Sequence, residues 1–267
     1  MKKNIDMMSQ LNNPEEIIQY IDRHYPSINV KVDQSTYPYP LQLIGRAAGI
    51  CIGANIDNPE KNIKRAYDCI AKNHGRTLEY PKIMLSISGV SARVVRELYT
   101  HIVDRSALQK STRYSLDENK PFDYIVPPKT LDDPIACAVY VNTMKEIQKG
   151  INKLKQLNIS NEEATMLLPL GMDTTIAVEY GLRELALGMG SQRLCTKAFE
   201  EYRVLMLKII FTLADYSDEY KELLLSDTSL FKPKCYNSKC SEGSNCCRAL
   251  GQYPLDVSEI IRTYINR

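Results

Sequence analysis

The sequence predicts a helix-rich domain of the α+β class, or of the α/β class, with a few strands. Helix-start signals recur along the chain, because an Asn or Asp stands directly before Pro at Asn13, Asn58 and Asp133. Two short segments, 27–32 and 82–88, have the alternation or the β-branched content of strands. The sequence contains no internal repeat, and its 267 residues are enough to bury one sizeable core. We therefore expect one helix-rich domain rather than an array of two.

The first half of the chain alternates between helix and strand signals. Asn13 is predicted to cap a short helix that begins with Pro14. The two Glu residues that follow interact favourably with the helix dipole. Residues 27–32 predict a strand, and residues 37–40, with the sequence YPYP, break regular structure. Asn58 repeats the helix-start signal, and we expect that helix to end near Asn73.

The second half is predicted to be mainly helical after the strand at residues 82–88. Ser160 and Glu163 form a capping-box pattern, in which each side chain satisfies a backbone N–H at the start of a helix. Further helices are predicted over residues 90–104, 133–157, 174–189 and 192–213.

We expect the domain to cover residues 1–225 and an irregular, cysteine-bearing tail to cover residues 226–267.

The charge balance excludes a dominant field for nucleic acid or membrane. Thirty-four basic and 32 acidic residues give a net charge of +2, so we expect neither nucleic acid nor membrane as a partner. No stretch approaches the roughly 18 apolar residues of a membrane span. The N-terminal lysines are not followed by the apolar run of a secretion signal. The sequence therefore predicts a cytoplasmic protein.

Four of the eight cysteines cluster near the C-terminus, within 13 residues. Their order, C-x4-C-x5-C-C, differs from the C-x2-C pattern of common zinc sites. Free thiols or a local disulfide are therefore favoured, and zinc is a further possibility. The candidate metal ligands are Cys235, Cys240, Cys246 and Cys247.

The most chemically specific segment is the run Ser111-Thr112-Arg113-Tyr114. A serine two residues before an arginine can direct a hydroxyl, backbone N–H groups and a guanidinium at one phosphate. The alternative is an ordinary solvated turn. The segment therefore predicts a phosphate site only in combination with other motifs.

Three further segments accompany this loop in a fixed order. HGRTLE at residues 74–79 precedes the strand at 82–88, while LLPL at 167–170 and GLREL at 181–185 follow the loop. This ordered set resembles the flavin-dependent thymidylate synthases, also called the thymidylate synthase complementing protein family. The resemblance spans about residues 41–215 and identifies the chain as a divergent member. It implies a single α+β domain with a central, mostly antiparallel sheet.

The resemblance implies that the chain binds dUMP or a related pyrimidine nucleotide. Ser111 and Arg113 would bind the phosphate, and Gln109 would line the same loop. Gln192 or Arg193 would face the edge of the pyrimidine. The family requires no nucleophile from the protein, so the lack of a catalytic cysteine motif does not count against this assignment.

The resemblance also implies FAD as the cofactor, which would supply a hydride to the pyrimidine. His74, Glu79 and Arg183 would face the flavin, and His101 would lie between the flavin and the nucleotide. Methylenetetrahydrofolate would supply the methylene group, and NADPH would reduce the flavin again. The family works as a homotetramer with sites shared between subunits, so we expect a homo-oligomer, namely a tetramer.

The chain departs from the family pattern at several polar positions. The family's RHR triplet is replaced by residues 101–103 or, with a shift of one, by residues 100–102. Thr165 stands in place of an arginine, and Gly181 in place of an asparagine. Two functions therefore stay open: the conversion of dUMP to dTMP, and a catalytically altered or inactive relative that binds a nucleotide in a regulatory or structural role.

Overall fold

The computed structural model describes residues 7–101, 105–113, 120–226, 230–236, 239–250 and 255–267. Its strands are β1 Asn29–Val32, β2 Lys82–Ser91, β3 Arg105–Gln109 and β4 Asp173–Gly181. They form one central sheet in the order β1, β2, β4, β3, and all neighbouring strands are antiparallel. The predicted helix-rich α+β fold with an antiparallel sheet is thereby confirmed. The α-helices of the described residues are α1 Pro14–His24, α2 Pro40–Cys51, α3 Pro59–Ala71, α4 Ala92–Leu98, α5 Pro128–Leu131, α6 Pro134–Gln156, α7 Asn161–Ala164, α8 Ser191–Arg193, α9 Glu200–Tyr216, α10 Asp218–Leu225 and α11 Val257–Ile265.

The predicted helix starts are confirmed by their caps. The side chains of Asn13, Asn58, Asp133 and Ser160 each accept a hydrogen bond from a backbone N–H in the first turn of α1, α3, α6 and α7. Such caps satisfy donors that have no partner within the helix. In the part of the chain that the structure describes, no helix is long and apolar enough to cross a membrane. The cytoplasmic location stays a prediction.

Helix α9 is the centre of the hydrophobic core. Thirteen of its seventeen residues are buried, and it packs against β1, α10 and α11. The sheet contributes the side chains of its inner face, among them Ile83, Leu85, Ile176 and Val178, which are almost fully buried. Burial of this apolar surface is the main force that holds the sheet in place.

Two buried carboxylates join the first turn of α9 to neighbouring elements. Glu200 accepts hydrogen bonds from the hydroxyls of Tyr20 at 2.7 Å and Tyr25 at 2.9 Å. Glu201 accepts hydrogen bonds from the backbone N of Ser91 at 2.6 Å and from its hydroxyl at 2.7 Å. These bonds fix the end of β2 relative to α9, and therefore the position at which α4 begins.

The helix predicted at 174–189 is wrong over its first half, residues 174–181, and right over its second half. β4 occupies residues 173–181, and a π-type helix, Glu184–Gly190, follows it. Thr174, Ile176 and Val178 are buried and alternate with more exposed side chains, which is the period of a strand. Pairing with β2 on one side and β3 on the other satisfies the backbone of this segment.

The helix predicted at 90–104 is shorter than expected at both ends. β2 continues to Ser91, α4 ends at Leu98, and β3 begins at Arg105 without having been predicted. The Ser91 hydroxyl accepts a hydrogen bond from the backbone N of Val94 at 3.3 Å and thereby caps α4. Residues 102–104 lie outside the described part of the chain.

The helix predicted at 192–213 is interrupted between α8 and α9. Buried Arg203 explains how the intervening turn is tolerated, since its Nη1 donates to the carbonyl of Cys195 at 3.3 Å and that of Ala198 at 3.5 Å. The turn carbonyls, which lack helical partners, are satisfied in this way.

The tail is not irregular throughout. Helix α11 packs against α1, α9 and α10, and it buries Val257, Ile260 and Ile261 in the main core. The prediction of irregular structure is therefore wrong for residues 257–265, whose apolar side chains share one helical face. The domain boundary after residue 225 stays a prediction.

A bulge in β2 depends on a glycine. The register against β4 shifts between Ile87 and Val90, and Gly89 there has a φ of 72°. A Cβ at this position would lie 1.9 Å from the carbonyl oxygen of Ser27. Gly89 therefore meets two constraints, a left-handed backbone and a close approach of another chain segment.

We predict that Gly89→Ala lowers the free energy of unfolding by about 3 kcal/mol or more, because left-handed strain and a clash add together. Gly53→Ala is the matched control: its φ is 64° and open space surrounds it, so only the strain of about 1–2 kcal/mol applies. Chemical denaturation measures both variants. Equal losses in the two variants would contradict the packing constraint at Gly89.

Candidate functional site

The predicted phosphate loop leaves the end of β3. Gln109 is the last residue of that strand, and its Nε2 donates to the Thr174 hydroxyl at 3.2 Å. The backbone N of Arg113 donates to the Ser111 hydroxyl at 3.2 Å, so one turn holds both predicted phosphate ligands. Arg113 Nε lies 3.4 Å from Glu162 Oε2, and the two side chains are 57% and 67% exposed. At the surface, the Arg113 guanidinium therefore pairs with a carboxylate that another anion can displace.

A cavity of about 400 Å³ lies beside this loop. Its wall includes Lys110 and Thr112 from the loop itself, together with Lys120, Asp123 and Asp173. Burial, and then the nearby Asp123 carboxylate, raises the pKa of Asp173. The cavity therefore presents two ammonium groups and a carboxyl group whose pKa is raised.

Glu79 and Arg183 form an ion pair. Arg183 Nη1 donates to Glu79 Oε1 at 2.5 Å, and Arg76 Nη1 donates to Glu79 Oε2 at 3.0 Å. The Arg183 bond, followed by the Arg76 bond, lowers the pKa of Glu79. A Cβ on Gly75 would lie 3.1 Å from Arg183 Nε, so the backbone next to His74 passes close to the guanidinium. Three of the four predicted cofactor residues are therefore neighbours.

The fourth, His101, is buried in a separate polar cluster with only 8% exposure. Arg193 Nε donates to His101 Nε2 at 3.1 Å, and Arg193 Nη1 donates to Glu97 Oε2 at 3.1 Å. The Arg193 guanidinium also lies 4.8 Å from the centroid of the Tyr202 ring. On its other side, His101 Nδ1 lies 3.6 Å from Glu184 Oε1. Because Nε2 accepts a hydrogen bond, the ring proton belongs on Nδ1.

The His101 ring is neutral near pH 7. Burial, and then the charges of Arg193 and Arg105, lower its pKa to about 4. Arg105 Nε also donates to the backbone carbonyl of His101 at 2.5 Å. Two guanidinium groups thus stabilise the neutral imidazole as a hydrogen-bond acceptor.

Gln192 and Arg193 line a second cavity, of about 380 Å³, whose other wall belongs to the tail. The backbone N of Lys234 donates to the carbonyl of Ser191 at 2.8 Å and holds the tail there. Within the described ranges, no group of three or more His, Cys, Asp or Glu side chains is placed to hold a metal ion. The zinc site stays a prediction, and its proposed ligands are free thiols here: Cys235, Cys240, Cys246 and Cys247.

The predicted residues form two groups at opposite ends of β4. The phosphate loop lies at one end, where the backbone N of Lys110 donates to the carbonyl of Thr175 at 2.8 Å. The cofactor residues lie at the other end, where Gly181 pairs with Lys82. Six residues of strand span about 20 Å, so the phosphate loop and the Arg183 end of β4 are separated by about this length along the strand. Tyr114 of the predicted loop lies outside the described residues.

The sequence did not identify several polar partners of these sites. Glu97 and Glu184 complete the cluster around His101, and Lys110 and Lys120 line the cavity beside the loop. Lys110 could have been found from its place beside Ser111. No local signal marks the other three, because only the fold brings them to their partners.

The family model of the thymidylate synthase complementing protein matches residues 32–216. The chain therefore belongs to this family, and the resemblance seen in the sequence is confirmed. The chain is 26% identical over 249 residues to a flavin-dependent thymidylate synthase of Clostridium tetani. This alignment covers 83% of this chain and 94% of that relative.

Two solved structures have the same fold. A UMP/dUMP methylase, PolB from Streptomyces cacaoi, bound with 5-Br dUMP, has a TM-score of 0.60 and 17% identity, covering 74% of this chain and 94% of that one. The second is thymidylate synthase X from Helicobacter pylori, with FAD and dUMP, which has a TM-score of 0.58 and 22% sequence identity. The superposition covers 75% of this chain and 99% of that one. At these identities the likeness establishes the fold alone.

We predict that the His101 ring stays neutral from pH 7 down to about pH 5. An NMR titration of the histidine ring resonances measures this, and the His101→Gln variant identifies which resonances belong to His101. The folded pKa of about 4 lies below the ordinary 6.5, so the folded state binds fewer protons in this window. The stability contributed by the neutral ring is present above about pH 6.5 and is lost as the pH falls towards 4. Arg193→Gln raises the pKa of His101. A wild-type ring that titrates near 6.5 would contradict the neutral cluster.

Proposed function

We propose that the chain methylates a pyrimidine nucleotide, converting dUMP to dTMP with FAD as cofactor. The observation that carries the proposal is the turn that holds the Ser111 hydroxyl and Arg113 together beside a cavity of about 400 Å³. Membership of the family and the nucleotides named in the two related structures support the same substrate.

The nucleotide phosphate binds at the end of β3. Arg113 offers a guanidinium fork, and Ser111 a hydroxyl, to a dianion, while Lys110 and Lys120 add positive charge to the adjoining cavity. The Arg113 guanidinium pairs with the exposed Glu162 carboxylate. Because exposed ion pairs contribute little, a phosphate can displace this carboxylate at small cost. Gln109 lines the same loop and is held by Thr174.

The FAD site lies at the opposite end of β4. The Arg183 side chain is half exposed. Because Gly75 has no side chain, the Arg183 guanidinium can lie close to the backbone beside His74. Glu79 orients Arg183 through their hydrogen bond. These donors fit a flavin cofactor with anionic phosphates, and bound FAD supplies the hydride chemistry that the side chains lack. His101 offers a buried neutral ring, and Gln192 or Arg193 faces the pyrimidine edge.

We propose further that methylenetetrahydrofolate supplies the one-carbon unit and that NADPH supplies the reducing equivalents. The family resemblance supports these co-substrates. The residues of this chain bind, orient and exclude water, so no covalent step on a side chain is required.

We propose a homo-oligomer, a tetramer, in which one site combines two copies. The separation of about 20 Å along β4 supports this, because one copy presents its nucleotide residues and its cofactor residues at opposite ends. Exposed apolar side chains supply surfaces for association; Ile135 is 79% and Val139 is 64% exposed on α6.

A tritium-release assay tests the activity. The protein is mixed with dUMP labelled at C5, FAD, NADPH and methylenetetrahydrofolate, and each component is omitted in turn. We expect release that depends on all four. Tight dUMP binding without release would favour the catalytically inactive relative, while absence of both binding and release would overturn the proposal.

Arg113→Ala is expected to weaken dUMP binding by about 1.5–3 kcal/mol, since it removes a charge-assisted bond to the phosphate. Isothermal calorimetry measures the affinity. Lys61→Ala is the control, because it removes an exposed cation on α3 away from the loop. An Arg113→Ala affinity equal to that of the control would remove this residue from the site.

Arg183→Ala is expected to weaken FAD binding by on the order of tenfold or more while leaving the stability nearly unchanged, because exposed ion pairs contribute little to folding. Arg76→Ala is matched to it, since Arg76 also pairs with Glu79 but is 86% exposed. Flavin fluorescence titration measures both. If the two variants bind FAD equally well, Arg183 has no role in holding the cofactor.

A further inference from the structure

A third cavity, of about 480 Å³, lies between the first turn of α9 and the segment that leads into α5 and α6. It shares no described lining residue with the cavity beside the phosphate loop. Lys197 and Ala198 line both this cavity and the one at Gln192, so the two are neighbours. Among its described lining residues, none has a role in the proposed function. The volume is sufficient for a ligand of the size of a mononucleotide.

A buried carboxylate lies in the wall of this cavity. Glu201 lines it and is only 4% exposed. The backbone N of Ser91 donates to Glu201 Oε1 at 2.6 Å, and the Ser91 hydroxyl donates to Oε2 at 2.7 Å. A carboxylate has about four acceptor sites on its two oxygens, so each oxygen of Glu201 can accept a further hydrogen bond. Because the Ser91 donors are neutral, a ligand that brings two N–H donors would stabilise the buried charge further.

The remaining wall combines apolar side chains with cations. Its apolar part is formed by Ile125, Pro127, Pro128, Leu170 and Phe199. The Arg93 guanidinium lies 4.8 Å from the centroid of the Phe199 ring, and a flat guanidinium can also stack on the aromatic ring of a ligand. Lys129 and Lys197 line the same cavity and are exposed, so they add positive charge where it meets the solvent. The cavity therefore suits a flat aromatic ring that carries an anionic group.

The α6 side of the cavity is held in place by hydrogen bonds. The Tyr140 hydroxyl donates to the carbonyl of Ile125 at 2.9 Å, and the backbone N of Ile125 donates to the carbonyl of Gly171 at 2.9 Å. A Cβ on Gly171 would clash with the Tyr140 hydroxyl, so this close approach requires glycine. All three residues line the cavity, so this part of its wall is preformed.

We propose that this cavity is a further ligand site, which binds a guanine or pterin ring with an anionic group attached. One edge of both rings presents a ring N–H beside an amino group, and these two donors match the two oxygens of Glu201. Adenine, cytosine and uracil each place an acceptor beside the donor on the corresponding edge, so the carboxylate disfavours them. The ring stacks on Arg93, and its phosphate or carboxylate group pairs with Lys129 and Lys197.

Isothermal calorimetry with the full-length protein, without FAD, tests the site with two probes, GMP and folic acid. Binding of GMP alone identifies guanine nucleotides as the ligand, binding of folic acid alone identifies pterins, and binding of both shows that the shared ring edge is sufficient. If GMP binds, we expect IMP, which lacks only the amino group, to bind at least about tenfold more weakly, because one hydrogen bond to a carboxylate is lost. Excess dUMP is expected to leave the bound probe in place.

Two variants locate the probe in this cavity. Glu201→Gln is expected to weaken binding at least about tenfold, because its amide group places a donor against a donor of the ring. Since Glu201 also holds Ser91, Lys129→Ala is the second variant, and it removes an exposed cation at a cost of about threefold in affinity. Lys153→Ala is the matched control, because it removes an exposed lysine of α6 that does not line the cavity. Circular dichroism measures whether each variant is folded.

Three results would overturn the proposal. The first is a protein that binds neither GMP nor folic acid. The second is a bound probe whose affinity is the same in Lys129→Ala and Lys153→Ala, or a protein that binds GMP and IMP equally tightly. The third is displacement of the probe by excess dUMP, which would place it in the nucleotide site at Arg113. These measurements involve neither FAD nor turnover, so they can fail while the proposed function holds, and the methylation of dUMP can fail while they succeed.

Discussion

The pairing of β4 between β2 and β3 is the constraint on which both candidate sites depend. β2 and β3 satisfy the backbone of β4 on its two sides, while α9 and the inner face of the sheet bury its apolar side chains. The phosphate loop begins where β3 leaves this pairing, and Arg183 follows directly after β4 ends. A rigid strand thus sets the distance between the two groups of polar residues.

The two ends of β4 differ in their electrostatics. At the loop, exposed Arg113 faces an exposed carboxylate, an arrangement that an anionic ligand replaces easily. At the other end, His101 is buried and neutral between two guanidinium groups, one of which, Arg193, is also bound to Glu97. The first arrangement suits capture of a charged ligand from water, and the second suits a fixed polar wall that does not reorganise.

Local chemistry predicted the helix starts well, because a cap such as Asn13 or Asp133 acts within a few residues. It failed at residues 174–181, where apolar side chains fit either period and the pairing partners of β4 lie far away in sequence. It also missed β3, whose five residues are stable as a strand only beside β4. In the candidate site, Ser111 and Arg113 were predicted from their spacing together with the family resemblance, and their role as phosphate ligands stays a prediction. Glu184 and Glu97 were not predicted, because only the tertiary fold places them around His101.

We propose that one functional site combines the Arg113 end of one copy with the Arg183 end of another. Subunit complementation tests it most directly: Arg113→Ala and Arg183→Ala proteins are mixed, dissociated and reassociated, and tritium release from labelled dUMP is measured. At limiting dUMP and FAD we expect the mixture to be more active than either variant alone, because hybrid oligomers contain sites with both arginines. A mixture no more active than its two components would contradict this arrangement.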